Sequence, residues 1–165
     1  MSPMRILGVD PALGTTGWGV IDQQGSKLSF VVGGVVRTDS KMSMAERLKV
    51  IHEGFSEIIE TYKPDVMAIE EVYVNNNART SLKLGQARGV PIVVASLARV
   101  EVFEYTPLQI KKATVGYGRA EKDQVQHMVK TLLPTATFTT HDTADALAAA
   151  ICHAHSSAMQ QRYGT

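Results

Sequence analysis

The chain has 165 residues, of which 44% are hydrophobic and 20% are charged, so it holds enough apolar material for one buried core. This composition excludes a long disordered segment, and the sequence contains neither a secretory signal pattern nor an apolar run long enough to cross a bilayer. A single cysteine, Cys152, excludes an internal disulfide and a cysteine-ligated zinc site. We therefore expect one domain over residues 1–165, in the reducing cytoplasm and without a membrane partner.

Charge is unevenly distributed, although the net charge is only +1. Residues 1–78 carry an excess of three acidic residues, whereas residues 79–122 carry an excess of five basic residues. An acidic half that supplies metal ligands beside a basic middle suits a polyanionic partner. A solvated helix face explains the same charges, and charge alone does not separate the two interpretations.

The first apolar segment, residues 4–10, predicts a buried strand that ends at Asp10. In open α/β sheets, ligands and metal ions bind at the carboxyl edge of the strands, so Asp10 is a candidate ligand. Gly14 and Gly17 follow, and we expect them to adopt positive φ and to admit another backbone or a phosphate close to Asp10. The alternative is an ordinary turn after a strand, because Asp and Pro are common there.

The next segments predict the start of a mixed sheet. Residues 17–23 and 28–37 are rich in β-forming side chains around a turn at 24–26, which gives three consecutive antiparallel strands. Residues 44–62 have helical spacing, with Ser43 as a candidate N-cap. A helix in this position forms the crossover connection to a parallel strand.

That parallel strand is predicted at residues 66–70, which are apolar and end in a second carboxylate. If it pairs with the first strand, Asp10 and Glu70 leave neighbouring strands at the same end, about 4.8 Å apart, and can bind one cation. Strand alternation directs Glu71 to the opposite face, so we select Glu70 and keep Glu71 as the alternative ligand.

The segment after this strand offers contacts for nucleic acid and for a second subunit. Tyr73 lies in a polar loop, where it can stack on or wedge between bases, or pack beneath the loop. Residues 79–98 predict a helix. Its apolar part, residues 90–98, is a candidate dimer surface, and burial in the chain's own core is equally compatible with the pattern.

Basic residues follow this helix. After a short strand at 102–105, a basic turn or helix carries Lys111 and Lys112. A helix over 120–133 has Lys122 in its first turn, where a cation opposes the helix dipole. A phosphate partner therefore explains Lys122 better than helix stability does, and a solvated lysine is the alternative.

The last predicted helix opens with two carboxylates. Asp142 and Asp145 have an i, i+3 spacing that places them on one face of the first turn. Capping explains one aspartate there, but not two on a face of alanine, leucine and isoleucine. His141 either positions or deprotonates a water molecule or flanks the helix cap. With Asp10 and Glu70, the two aspartates make four acids able to converge.

Four converging carboxylates without cysteine select a hard cation, Mg²⁺ or Mn²⁺. Two such ions about 3.5–4 Å apart stabilise the attacking and leaving oxygens of an in-line phosphoryl displacement. The residues therefore predict metal-dependent hydrolysis of a phosphodiester.

The order of elements resembles the ribonuclease H-like fold, an α/β fold with a five-stranded mixed sheet in which three antiparallel strands are followed by parallel additions, flanked by helices. Within that order, several motifs resemble the RuvC family of Holliday junction endonucleases, and they extend over nearly the whole chain. They are residues 8–11 (GVDP), 68–70 (AIE), 82–89 (LKLGQARG), 120–122 (AEK) with 124–128 (QVQHM), and 142–147 (DTADAL).

The resemblance implies the same metal site, because the family's metal-binding acids match Asp10, Glu70, Asp142 and Asp145. One departure is Ala12, where many members have glycine after Asp-Pro. The substitution can change the flexibility of the turn, but it leaves the acids in place.

The resemblance also implies DNA contacts. Tyr73 matches an aromatic position that contacts the junction core. Lys111 and Lys122 match basic residues needed near the cleaved strand, and we add Arg79 and Lys112 as further basic candidates for DNA binding.

The family acts as a homodimer, which suits a four-way junction of approximate two-fold symmetry. The resemblance therefore implies two symmetric nicks with 5′-phosphate and 3′-hydroxyl ends, and collaboration with the RuvA–RuvB branch-migration machinery.

Two other functions fit parts of the sequence. A strand, an aspartate and a glycine-rich turn also open sugar kinases and actin-like ATPases, but those proteins need two such domains and do not explain Asp142 and Asp145. A junction-binding scaffold without cleavage is the non-enzymatic alternative, and the presence of all four acids argues against it.

Overall fold

The computed structural model describes residues 2–71, 76–115, 121–138 and 140–163, without the side chains of residues 115, 122 and 158–163. The described part contains five strands and five helices. They are β1 (Met4–Asp10), β2 (Thr15–Gln24), β3 (Lys27–Arg37), α1 (Met44–Tyr62), β4 (Val66–Glu70), α2 (Ala78–Leu97), β5 (Glu101–Tyr105), α3 (Pro107–Val115), α4 (Lys122–Leu132) and α5 (His141–Tyr163).

The strands form one mixed sheet in the order β3-β2-β1-β4-β5. β2 is antiparallel to both β1 and β3, whereas β4 is parallel to both β1 and β5. The five-stranded mixed sheet predicted from the sequence is confirmed. Because β1 and β4 are parallel neighbours, their carboxyl ends lie side by side at one edge of the sheet.

Helices cover both faces of the sheet. α3, α4 and α5 share one apolar cluster with the sheet, and α1 and α2 share another on the opposite face. Alternation along β1 divides its side chains between them, with Ile6 packed in the α5 cluster and Leu7 and Val9 in the α1–α2 cluster.

The local signals for α1 work as the sequence predicts. Ser43 is the N-cap, and its hydroxyl accepts a hydrogen bond from the backbone N–H of Glu46 at 3.2 Å. Lys63 ends the helix in the left-handed conformation, with φ of 49°, and its N–H donates to the Ile59 carbonyl. The helix therefore has the predicted bounds.

α5 is the central helix of the structure. Its residues from Ala146 to Ile151 have no exposed surface, which is the environment of a helix that is apolar on all sides. Small side chains let it lie close to the sheet, and a Cβ at Gly8 of β1 would stand only 1.9 Å from the Ala146 carbonyl oxygen.

The remaining elements differ from the sequence predictions mainly at their ends. β2 begins at Thr15, two residues earlier than predicted, and the basic segment after β5 is a helix, α3. α2 buries Ala87, Val94 and Ala95 against the sheet and leaves other apolar side chains exposed, so it is only partly core. Within the described residues, no helix combines the length and apolarity needed to span a membrane.

Candidate active site

Asp10 and Glu70 lie at adjacent strand ends. Val9 pairs with Ile69 in the parallel register of β1 and β4, so the next residue of each strand is a carboxylate. Alternation directs both acids to the α5 side of the sheet. Glu71 is exposed, and its backbone N–H donates to the Tyr105 carbonyl at 2.8 Å. The structure therefore brings Glu70, and not Glu71, to Asp10.

Gly17 allows α5 to deliver its acids to the same place. It is the antiparallel partner of Asp10, and a Cβ at Gly17 would stand 2.0 Å from the carbonyl oxygen of Asp142. The predicted close approach of another backbone is confirmed. The predicted positive φ of Gly14 and Gly17 is wrong, because among the described glycines only Gly25, in the β2–β3 hairpin, has positive φ.

The N-cap of α5 is a threonine and not an aspartate. The Thr140 hydroxyl accepts a hydrogen bond from the backbone N–H of Thr143 at 3.3 Å. The Thr143 hydroxyl in turn donates to the Gly34 carbonyl of β3 at 2.9 Å, which anchors the first turn to the sheet. Asp142 therefore has no capping role, and its carboxylate lies near the positive end of the helix dipole.

The pKa of Asp10 depends on the other three acids as well as on burial. Burial is the largest of the causes that raise the pKa of Asp10 to about 9, and the charge of Glu70, a hydrogen bond with Glu70 and the charges of Asp145 and Asp142 act in the same direction. A carboxyl whose ionisation is opposed by three neighbouring acids suits a divalent cation, which offsets their charge. Among the described side chains, no group of three acidic, histidine or cysteine residues is arranged so that it could hold a metal ion.

Lys111 faces two of these acids. A cavity of about 180 Å³ between β4, α3, α4 and α5 is lined by Glu70, Lys111 and Asp145, with apolar side chains around them. A cation in this position can hold a phosphate beside the acids. Lys112 and Arg79 are exposed, on α3 and in the first turn of α2.

The structure describes three other residues selected from the sequence to different extents. Tyr73 lies outside the described residues. Lys122 is the first residue of α4, and its side chain is also outside the description. His141 is exposed and hydrogen-bonds through Nδ1 to the side-chain amide of Gln126, which connects α4 to the start of α5.

Arg88 of α2 is a site residue that the sequence reasoning missed. Its Nε donates to the backbone carbonyl of Glu70 at 3.0 Å, and its Nη2 donates to the Glu104 carboxylate at 2.5 Å. Its side chain is 15% exposed. The available signal was that Arg88 is the one charged residue in positions 84–98, an otherwise neutral stretch of helix.

Ala12 fits the turn after Asp10. The Thr16 hydroxyl donates to the Ala12 carbonyl at 2.6 Å and accepts from the Ala12 N–H at 3.3 Å. Ala12 does not have positive φ, so alanine is accommodated without backbone strain.

Comparisons with known proteins agree on one family. A family model described as "Crossover junction endodeoxyribonuclease RuvC" matches residues 6–153. A relative of that name from Agrobacterium fabrum is 50% identical over 152 residues, covering 92% of this chain and 89% of its own. Another, from Caldanaerobacter subterraneus subsp. tengcongensis, is 48% identical over 162 residues, covering 98% of both chains.

Solved structures agree with the sequence comparisons. The structure of T. thermophilus RuvC in complex with a Holliday junction substrate matches with a TM-score of 0.89 at 34% identity, covering 94% of this chain and 96% of that one. The yeast mitochondrial Holliday junction resolvase Ydc2 matches with a TM-score of 0.69 at 15% identity, over 97% of this chain and 83% of that one, and shares the fold alone.

Proposed function

The chain belongs to the RuvC family of crossover junction endodeoxyribonucleases, and on this premise we propose that it resolves four-way DNA junctions by paired, symmetric nicks. It has the ribonuclease H-like fold of these metal-dependent nucleases. The observation that supports the proposal best is that Asp10 and Glu70 end neighbouring parallel strands, where the charges of Glu70, Asp145 and Asp142 add to burial in raising the pKa of Asp10. The biological setting is DNA recombination and repair.

The acids that would hold the metal are Asp10, Glu70, Asp142 and Asp145. We propose two Mg²⁺ ions per active site, for which Mn²⁺ can substitute. When bound, such ions supply Lewis-acid activation of the attacking water and stabilise negative charge on the leaving oxygen.

The reaction is hydrolysis of one phosphodiester in each of two opposing strands. The water oxygen forms a bond to phosphorus, the bond from phosphorus to the 3′ oxygen breaks, and the leaving oxygen takes a proton. The products are a 5′-phosphate and a 3′-hydroxyl. Lys111, beside Glu70 and Asp145, binds the phosphate and places the scissile bond over the acids.

The active form is a homodimer that uses α2 as its contact surface. Leu82, Val93 and Leu97 lie along one side of this helix and are 71%, 53% and 76% exposed. A Cβ at Gly85 or Gly89 would meet no described atom within 4 Å, so this side of the helix is flat and open to a partner. Sedimentation of a Leu97→Asp variant tests the surface, and an unchanged dimer would contradict it.

Further parts of the proposal depend on the family. Tyr73, Lys122, Arg79 and Lys112 contact the junction, with Tyr73 at its core. The protein acts in the cytoplasm as one nuclease domain over residues 1–165, and it works with the RuvA–RuvB branch-migration machinery.

The test is cleavage of an end-labelled synthetic four-way junction with Mg²⁺, beside a linear duplex of the same sequence. We expect paired nicks at symmetric positions in the junction, ends that DNA ligase can seal, and no cleavage of the duplex. Junction binding without cleavage under Mg²⁺ or Mn²⁺ would support the scaffold instead. Hydrolysis of ATP without junction binding would support the kinase-like alternative.

A further inference from the structure

A cleft beside Asp142 has two cations on its wall and is not explained by the metal site. It has a volume of about 510 Å³ and lies between the end of β3, α4 and the segment that leads into α5. Arg37 and Lys130 are the charged residues among those that line it in the described part of the chain. The cleft therefore has a positive potential without a local acid on its wall.

Both cations are available to a ligand. Arg37 and Lys130 are exposed, and the Arg37 side chain makes no hydrogen bond or ion pair within the described residues. The Lys130 ammonium lies 5.3 Å from the centroid of the Phe138 ring, a contact that orients it and leaves its charge uncompensated.

The floor of the cleft is backbone. Gly33 and Gly34 of β3 line it, and the Gly34 carbonyl accepts the Thr143 hydroxyl at 2.9 Å. Because a Cβ at Gly33 would stand 2.7 Å from the Thr143 methyl group, no larger side chain fits where β3 meets α5. The backbone of Gly33 is therefore in close contact with Thr143 at the base of the cleft.

The position of the cleft relates it to the acids. Thr140, the N-cap of α5, and Thr143, in its first turn, also line the cleft and lie on either side of Asp142 in the chain. β3 is two strands from β1 on the side away from β4, a separation of about 10 Å. Lys111 lies on the β4 side, so cations flank the four acids in both directions.

We propose that this cleft binds the sugar–phosphate backbone of the junction arm that is being cut, on the side of the scissile phosphate opposite Lys111. The β3 and β1 strands are about 10 Å apart, which is the rise of about three nucleotides along one strand, so we expect Arg37 and Lys130 to contact phosphates a few nucleotides from the cut. The contacts position the strand and carry no sequence information. This inference rests on the proposed junction cleavage.

The experiment measures the affinity of a fluorescent four-way junction in metal-free buffer with EDTA, at several KCl concentrations. For the double variant Arg37→Gln/Lys130→Gln, we expect the slope of log K against log salt to become shallower by about 1 to 2, since each phosphate contact contributes about 0.9. Affinity at low salt should fall about 10-fold. The single variant Arg37→Lys keeps the charge at this position, so its slope should remain close to that of the wild type.

The matched control is Lys27→Gln/Lys49→Gln, which removes the same net charge from the far end of β3 and from α1. If both double variants change the slope equally, or if neither changes it, the cleft does not hold phosphates and the inference is wrong. Failure of the wild type to cut junctions in Mg²⁺ would instead refute the proposed function, and the two failures are distinguishable.

Discussion

Asp10 shows the conflict between folding and function at a single residue. Its carboxyl is buried beside three other acids, which raises its pKa to about 9. The folded state therefore holds a proton that the unfolded chain releases at much lower pH, so ionisation of this group reduces stability as pH rises from about 4 to about 9. The same cluster of acids favours the binding of a divalent cation, whose charge offsets theirs.

Replacing Asp10 with asparagine should separate these two effects. Without metal at pH 8, we expect Asp10→Asn to raise Tm by about 2–6 °C, equivalent to about 1–2 kcal/mol, because asparagine needs no proton to be accommodated in this partly buried acidic site. The difference should disappear below pH 4. Added Mg²⁺ should stabilise the wild type more than the variant, and junction cleavage by the variant should be lost. A variant less stable than the wild type at pH 8 would contradict this account.

Arg88 acts on Glu70 through the backbone. Its guanidinium bridges the Glu70 carbonyl and the Glu104 carboxylate, and so joins α2 to the ends of β4 and β5. Lysine carries the same charge but lacks the planar fork needed to make both hydrogen bonds together.

We therefore expect Arg88→Lys to lower the single-turnover cleavage rate about 10- to 100-fold, since a small displacement of a catalytic group has effects of this size. Junction affinity without metal should be unchanged. Arg99→Lys, at an exposed position, is the control and should cleave normally. Equal cleavage by both variants would show that Arg88 has no positioning role.

Residue chemistry and strand position were sufficient to predict that Asp10 and Glu70 lie at adjacent strand ends. Asp10 and Glu70 end apolar strands, and strand alternation alone selects Glu70 over Glu71. The Thr140 cap and the Arg88 bridge depend on contacts between residues distant in sequence, which a local pattern does not contain.

At the scale of elements, the approach of α5 to the sheet assembles the site. Gly17 leaves no room for a side chain beside the backbone of Asp142, and Gly8 leaves none beside Ala146. A larger residue at either position would push the helix, with its two acids, away from β1.

Gly17→Ala should therefore lower stability by about 1–3 kcal/mol, which is typical of overpacking in a core. It should also reduce cleavage about 100-fold, because Asp142 is displaced. The control is Gly14→Ala, whose Cβ would meet no atom closer than 3.9 Å and which should change stability by less than about 0.5 kcal/mol. Urea unfolding and single-turnover cleavage measure the two effects, and similar behaviour of both variants would contradict the role of Gly17.

The bounds of the elements were more predictable than their packing. Ser43 and the helical spacing after it predicted the bounds of α1 correctly, because capping and amphipathic spacing depend on residues close together in the sequence. The role of Gly17 was misassigned in part, since a glycine needed for close packing and one needed for positive φ look the same in a sequence.

At the scale of the whole molecule, a buried contact joins the outer strand to the central helix. Nδ1 of His153 on α5 lies 2.7 Å from the Tyr105 hydroxyl on β5, and the His153 ring also packs on Phe103. Burial lowers the pKa of His153 below its ordinary value of 6.5, although the charge of Glu101 opposes this. The folded state therefore keeps this imidazole neutral.

A lowered histidine pKa makes stability depend on pH in a defined direction. The contribution is fully present above about pH 6.5 and is lost as pH falls, because the unfolded chain then binds a proton that the folded state resists. Between pH 7.5 and 5.0 we expect the wild type to lose more unfolding free energy than His153→Gln does. Parallel losses in urea unfolding would show that His153 does not titrate in this way.

The central claim is that four acids from β1, β4 and α5 form one nuclease site. The most direct measurement is the single-turnover rate of junction cleavage in Mg²⁺ for Asp10→Asn, Glu70→Gln, Asp142→Asn and Asp145→Asn, with Glu71→Gln as the matched control. We predict that each of the four loses at least about 100-fold in rate while still binding the junction, and that Glu71→Gln cleaves like the wild type. Loss of activity in Glu71→Gln with normal cleavage by Glu70→Gln would contradict the assignment of the site.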